Sequence, residues 1–152
     1  MEIMDSGCIR VLLADEKRSA RSEVRAILST APDIVIIAEA TSPVHADRLA
    51  ARLKPDVIVA DCRSSSEDGI ETVRRLASAA PGSGIVLVSA RPEEEWLILA
   101  LSAGATGCVT ARAVARELCS AVRGVARDQI VLPRSAGDLL ITHAHHRHSQ
   151  FA

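Results

Sequence analysis

Aromatic residues are almost missing from this chain: one Trp, one Phe and no Tyr among 152 residues. That excludes a base-stacking platform for single-stranded nucleic acid, which is built from aromatic rings. The core must come from Ala, Val, Leu and Ile, and the 48% hydrophobic fraction supplies them. Lysine is scarce as well. Only Lys17 and Lys54 are present, and arginine provides the other basic residues. Neither sign of charge dominates, and a formal net charge of −1 gives no general attraction to nucleic acid or to an anionic membrane. Cys8, Cys62, Cys108 and Cys119 contain no C-x-x-C pair, so reduced thiols in a cytoplasmic setting are expected. No apolar run is long enough to span a bilayer, and the opening residues do not read as a signal peptide. The turn cluster Pro81-Gly82-Ser83-Gly84 is not followed by Gly-Lys-Ser/Thr and so is no phosphate loop. No fixed-period repeat is present.

What the chain does contain is a series of short β-branched runs, each followed by a helical pattern. The strands read as Ile9–Ala14, Ile34–Ala38, Val57–Asp61, Ile85–Val88 (ending in Ser89) and Cys108–Thr110. Such continuous apolar runs suit strands buried on both faces of a parallel sheet. The first helix reads as Ser19–Thr30, with Ala20, Val24, Ile27 and Leu28 on one face, and Pro32-Asp33 stops it. A second runs from Val44 to Leu53, and a third starts at Gly69 with Ile70, Val73, Leu76 and Ala77 inward. The fourth starts at Pro92 and runs to Ala103, with Glu93, Glu94 and Glu95 in its first turn, where the helix dipole favours anions. Val114, Leu118, Ala121, Val122 and Val125 mark the fifth. Alternation at this spacing gives an α/β fold of the flavodoxin-like (βα)5 type, a doubly wound parallel sheet of strand order 2-1-3-4-5. Residues 1–8 form a lead, 9–127 the domain, and 128–152 a linker and a His-rich tail expected to be disordered. Ile130-Val131-Leu132 reads as a short extension or as linker.

Three strands end in oxygen-bearing side chains: Asp15-Glu16, Asp61 and Ser89. In an open parallel sheet, chemistry sits at the carboxyl ends of the strands, and the first and third strands flank the switch point. Asp15, Glu16 and Asp61 are therefore expected to converge. Clustered carboxylates repel one another unless a cation lies among them. An all-oxygen donor set points to Mg²⁺. A carboxylate beside Mg²⁺ can attack a phosphoryl group, and the Ser89 hydroxyl could donate to a phosphoryl oxygen. A cofactor-binding enzyme of the same architecture would need a phosphate-binding loop where Asp15-Glu16 stands.

The segments IRVLLADE, PDIVIIAEA, KPDVIVADCR, EDGIETVRRL, IVLVSA, LSAGATGCVT and ARELCSAVRGVARDQIVLP, taken together, resemble the receiver domain of bacterial response regulators. The resemblance is strongest to the NarL/FixJ group, whose receivers precede a LuxR-type DNA-binding domain, and it covers Ile9 to Pro133. It implies that Asp61 is the phosphoacceptor and Ser89 the switch hydroxyl. Asp15, Glu16, Asp61 and the backbone carbonyl of Arg63 would hold Mg²⁺, with Glu16 where the family usually has Asp. It further implies a signalling module rather than a turnover enzyme, served by a histidine kinase or a small phosphodonor and forming a homodimer. Three departures stand out. Ala111 replaces the lysine that closes the fifth strand, Ser64-Ser65 replaces Met-Pro, and Cys108 replaces the switch aromatic. Two readings follow: a receiver phosphorylated on Asp61, or an atypical receiver that works by protein or ligand contact without phosphorylation.

Arg112, Arg116, Arg123 and Arg127 fall at helical offsets that place them within one basic stripe. It reads either as a solvated face or as an interface meeting Glu93 to Glu95 of a second copy. Direct nucleic acid contact by this stripe is not expected. His143, His145, His146 and His148 cluster, but no Cys or carboxylate completes a metal site there. Cys62 reads as a small side chain beside the pocket rather than a redox switch, and Trp96 as a packing residue and fluorescence reporter.

Overall fold

The computed structural model describes residues 7–63, 69–90 and 93–133. The His-rich cluster, Ser64-Ser65 and Pro92 lie outside them. The observed strands are β1 (Ile9–Ala14), β2 (Ile34–Ala40), β3 (Val57–Asp61), β4 (Gly84–Ser89) and β5 (Gly107–Thr110). The helices are α1 (Arg18–Leu28), α2 (Pro43–Leu53), α3 (Gly69–Ala79), α4 (Glu94–Ala103) and α5 (Val114–Ala126), with one 3₁₀ turn, Ala111–Ala113, before α5. All strand pairs are parallel, in the order β2-β1-β3-β4-β5. This is the flavodoxin-like arrangement that the alternation of runs implies.

Period-2 alternation divides the sheet between two helical layers. Val11, Leu13, Val57, Val59, Val86, Val88 and Val109 pack with α1 and α5, through Val24, Leu28, Leu118 and Val122. Leu12, Ile58, Ala60, Ile85, Leu87 and Cys108 pack with α2, α3 and α4, through Ala46, Ala50, Leu76 and Leu97. Every residue of β3 is buried, as its position at the centre of the order requires. Each fully buried Leu or Val contributes roughly 1.5–3 kcal/mol, so this aliphatic core needs no aromatic filling. Cys108, buried among apolar groups, has its thiol pushed up to about 12 by desolvation, so it packs as a small hydrophobe.

Local signals explain the boundaries. Ser42 caps α2 by accepting from the His45 N–H at 3.2 Å, and Pro43 follows at the first position. Lys54, at φ 47°, ends α2 in the left-handed region. β2 runs two residues beyond the expected Ala38, because its register against β1 shifts between Val11 and Leu12 and lets Glu39 and Ala40 pair. The charge this brings onto the sheet edge is met by α1: Arg25 reaches Glu39 at 3.1 Å and Arg21 at 3.6 Å. After α5 the chain returns beside the sheet. Val131 bridges Gly107, and its carbonyl accepts from the Cys108 N–H at 2.9 Å. Ile130–Leu132 is thus an extension along β5.

Candidate functional site

The site forms where β1 and β3, neighbours in the sheet, reach their carboxyl ends. The register pairs Ala14 with Ala60, which sets Asp15 and Asp61 side by side one step further on. Both share the strand parity that faces α1 and α5. Asp61 is the last residue of β3 and its side chain is only 2% exposed. Asp15 is fixed locally: its Oδ1 accepts from the Lys17 N–H at 2.9 Å, and its carbonyl accepts from Arg21 at 3.0 Å. Its other oxygen, Oδ2, is buried and has no hydrogen-bond partner. Burial pushes the Asp15 carboxyl up to about 6, and the negative charge of Asp61 adds to the rise. The Lys17 N–H and the Arg63 charge act against it.

Glu16 does not complete a triad. It is exposed at the rim of a small cleft that Asp15, Asp61, Ser42, Thr72 and Arg75 also line. Among the described residues no three His, Cys, Asp or Glu side chains come within reach of one ion. Asp15 and Asp61 are the carboxylates that the register sets side by side, and Glu16, one residue past the strand, is exposed and lines the same cleft.

Arg63 is the cationic partner of Asp61. Its Nε lies 3.0 Å from both Asp61 oxygens and its Nη2 2.6 Å from Oδ2, while its backbone N–H donates to Oδ1 at 3.0 Å. The far side of the guanidinium meets Glu23 of α1, Nη1 to Oε1 at 2.7 Å. Asp61 and Glu23 together raise the Arg63 pKa, so the group is a fixed cation at any working pH. The sequence points to Arg63 for its carbonyl alone, and not to its side chain or to Glu23. An Arg two positions after a strand-end Asp, followed by a turn, is the signal that was available.

Ser89 is the last residue of β4, buried at 7% exposure, in register with Thr110 of β5. It lies on the same rim as Asp61, with the parity of Ile85 and Leu87. Ala111 opens the 3₁₀ turn, which Thr110 caps by accepting from the Ala113 N–H at 3.3 Å. Trp96 of α4 packs against Gly69 at the start of α3, beside Cys62.

The four arginines do not make one continuous stripe. Arg112 belongs to the 3₁₀ turn, outside α5. Arg123 is held within the chain by Asp33, with Nε at 2.8 Å and Nη2 at 2.9 Å from its two oxygens. This pairing lowers the Asp33 pKa, and the charge of Arg127 adds to the effect. Arg112 and Arg116, both exposed, line a groove of about 870 Å³ together with Thr110, Glu117 and Leu132.

The sequence profile of the response regulator receiver domain matches residues 11–123. The chain belongs to the response regulator receiver domain family. It is 30% identical over 130 residues to the nitrate/nitrite response regulator protein NarL of Escherichia coli K12, covering 86% of this chain and 60% of that protein. It is 31% identical over 128 residues to the transcriptional regulatory protein YxjL of Bacillus subtilis, covering 84% and 59%. The receiver thus spans about 60% of the length of the curated relatives it matches. The signal receiver domain of a NarL response regulator from Mycobacterium tuberculosis superposes with a TM-score of 0.71 at 27% identity, covering 79% of this chain and 97% of that one. A LuxR-family response regulator from Aurantimonas shares the fold at a TM-score of 0.81 and 23% identity, covering 90% and 98%. Among the described residues of this NarL/LuxR-type receiver, no helix is long and apolar enough to cross a membrane.

Proposed function

We propose that this receiver accepts a phosphoryl group on Asp61 from a histidine kinase or a small phosphodonor and relays the change to transcription control. The observation that carries the reading is the pairing of a buried strand-end Asp61 with Asp15, whose buried Oδ2 has no protein partner. A buried acceptor without a donor is costly, and a cation between the two carboxylates would supply the missing partner. The donors are hard oxygens and fit Mg²⁺. Asp15 and Asp61, with the Arg63 carbonyl that the family resemblance adds, would hold the ion. When bound, Mg²⁺ offsets negative charge on the transferring phosphoryl oxygens. Asp61 supplies the nucleophilic oxygen. Burial keeps water from competing for it, and Arg63 and Ser89 stand at the same rim as donors to the oxygens that arrive.

A second reading has its own support: Arg63 engages both Asp61 oxygens, and Ala111 stands in place of the lysine that the family resemblance would put at the end of β5. In that reading the receiver works through protein or ligand contact without phosphorylation. Incubation with acetyl phosphate or phosphoramidate and Mg²⁺, read by intact mass, separates the two. The phosphoacceptor reading expects the mass of one phosphoryl group on the wild type and none on Asp61→Asn. An unlabelled wild type, under conditions that label an ordinary receiver, leaves the contact reading.

A further inference from the structure

We propose that Arg63 determines how tightly the Asp15–Asp61 pocket takes a divalent cation: its guanidinium is the built-in counter-ion of Asp61, and an arriving metal ion must displace it. The inference rests on reading that pair as a cation site and adds the residue that sets its affinity.

The geometry makes the competition direct. Asp61 has two oxygens, and each already accepts from Arg63, one from Nε and the backbone N–H, the other from Nε and Nη2. With its side chain 2% exposed, Asp61 offers an ion little surface while the guanidinium stays in place. A divalent ion shared with Asp15 needs one of these oxygens. Its charge also repels a guanidinium held at hydrogen-bonding distance from the same carboxylate. The two cations are therefore alternatives on Asp61.

Arg63 also has somewhere to go. Its Nη1 pairs with Glu23, whose side chain is 51% exposed. The guanidinium can keep that outer partner while it yields Asp61, so displacement does not strand a buried charge. Asp15 shows the other half of the arrangement: a guanidinium satisfies Asp61 but leaves the buried Asp15 Oδ2 without a donor, which a cation lying between the two carboxylates would correct. The pocket is thus half-satisfied by its own arginine and retains an attraction for a metal ion, at reduced affinity.

The test compares Mg²⁺ and Mn²⁺ binding to the wild type, Arg63→Met and Arg63→Lys by isothermal titration calorimetry, with Trp96 emission as a second readout. Met keeps length and packing without charge or donors. Lys keeps the charge without the planar fork. Arg63→Met is expected to bind the ion on the order of tenfold more tightly, the equivalent of one strong charge-assisted hydrogen-bond pair removed. Arg63→Lys should fall between, and it carries the test alone if the Met variant does not unfold cooperatively. Affinity in either folded variant equal to or weaker than wild type overturns the proposal. An absence of ion binding in all three overturns it together with the cation-site reading. Failure of wild-type Asp61 to take a phosphoryl group, with tighter ion binding in Arg63→Met, sinks the phosphoacceptor reading alone.

Discussion

Gly84 at the start of β4 lies so close beneath Val125 of α5 that a methyl group on its Cα would overlap a Val125 methyl. The backbone is fixed there by the Gly84 N–H donating to the Asp56 carbonyl at 3.0 Å and by register with Val57. Neither the strand nor the helix can shift without disturbing the central sheet. Gly84→Ala should therefore destabilise by about 1–3 kcal/mol through overpacking. Adding Val125→Ala removes the overlapped group, so the double variant should lose less than the two single changes added together. Urea unfolding of the four chains measures this coupling; strict additivity would show that the two residues do not touch.

Gly104 closes α4 at φ 126°, a backbone conformation that side chains with a Cβ rarely adopt. A Cβ there would also meet the Ala77 methyl at 3.0 Å. Gly104→Ala is expected to cost about 1–3 kcal/mol through local strain. Gly82, whose Cβ position is open space, is the control: Gly82→Ala should leave the urea midpoint close to wild type.

The central strands were legible because β3 and β4 are buried on both faces and so read as unbroken apolar runs. Strand order followed from the βα alternation. The end of β2 was not legible, since Glu39 looks like loop until Arg21 and Arg25 of α1 are seen to meet its charge. Asp61 and Asp15 could be placed from strand ends alone, because parity and register carry them to one rim. Glu16 could not be placed that way: one residue past the strand, parity no longer governs direction. The Arg63 side chain was missed for the same reason, since its role depends on a turn and on Glu23, forty positions earlier. The helical offsets of Arg112, Arg116, Arg123 and Arg127 suggest a common fate, but Asp33 lies against Arg123 and the 3₁₀ turn carries Arg112.

That division of the arginines predicts divergent phenotypes. Arg116 is exposed beside the groove under Thr110 and Leu132, whereas Arg123 is committed to Asp33. If the receiver self-associates through the basic face, Arg116→Glu should lower the dimer fraction in sedimentation velocity and leave the unfolding midpoint unchanged. Arg123→Glu places like charges together at Asp33 and should lower the unfolding midpoint instead, with Asp33→Arg in the same chain restoring it. A dimer fraction unmoved by Arg116→Glu would count against the basic face as an interface.

The Asp15 carboxyl makes the receiver's stability depend on pH in a direction opposite to that of an ordinary surface acid. Its pKa is about 6 in the folded chain, against 3.8 for the free side chain, chiefly because burial penalises the charged form and next because Asp61 repels it. Between those values the folded state binds more protons than the unfolded state, so stability falls as pH rises from about 4 to about 6 and then levels off. Other acids titrate in the same range, so the informative quantity is the difference between wild type and Asp15→Asn, whose amide carries no charge at either end. In metal-free buffer at low ionic strength, the wild type should lose stability relative to Asp15→Asn across that window. Asp61→Asn removes the repelling charge and should move the window to lower pH. Excess Mg²⁺ at pH 7 should recover part of the loss for the wild type and none for Asp15→Asn, since an ion that binds only the folded state stabilises it in proportion to its occupancy. Thermal melts at pH 4.5 and 7 on the three chains decide the matter: parallel shifts in all of them would mean that Asp15 titrates as it does in the unfolded chain.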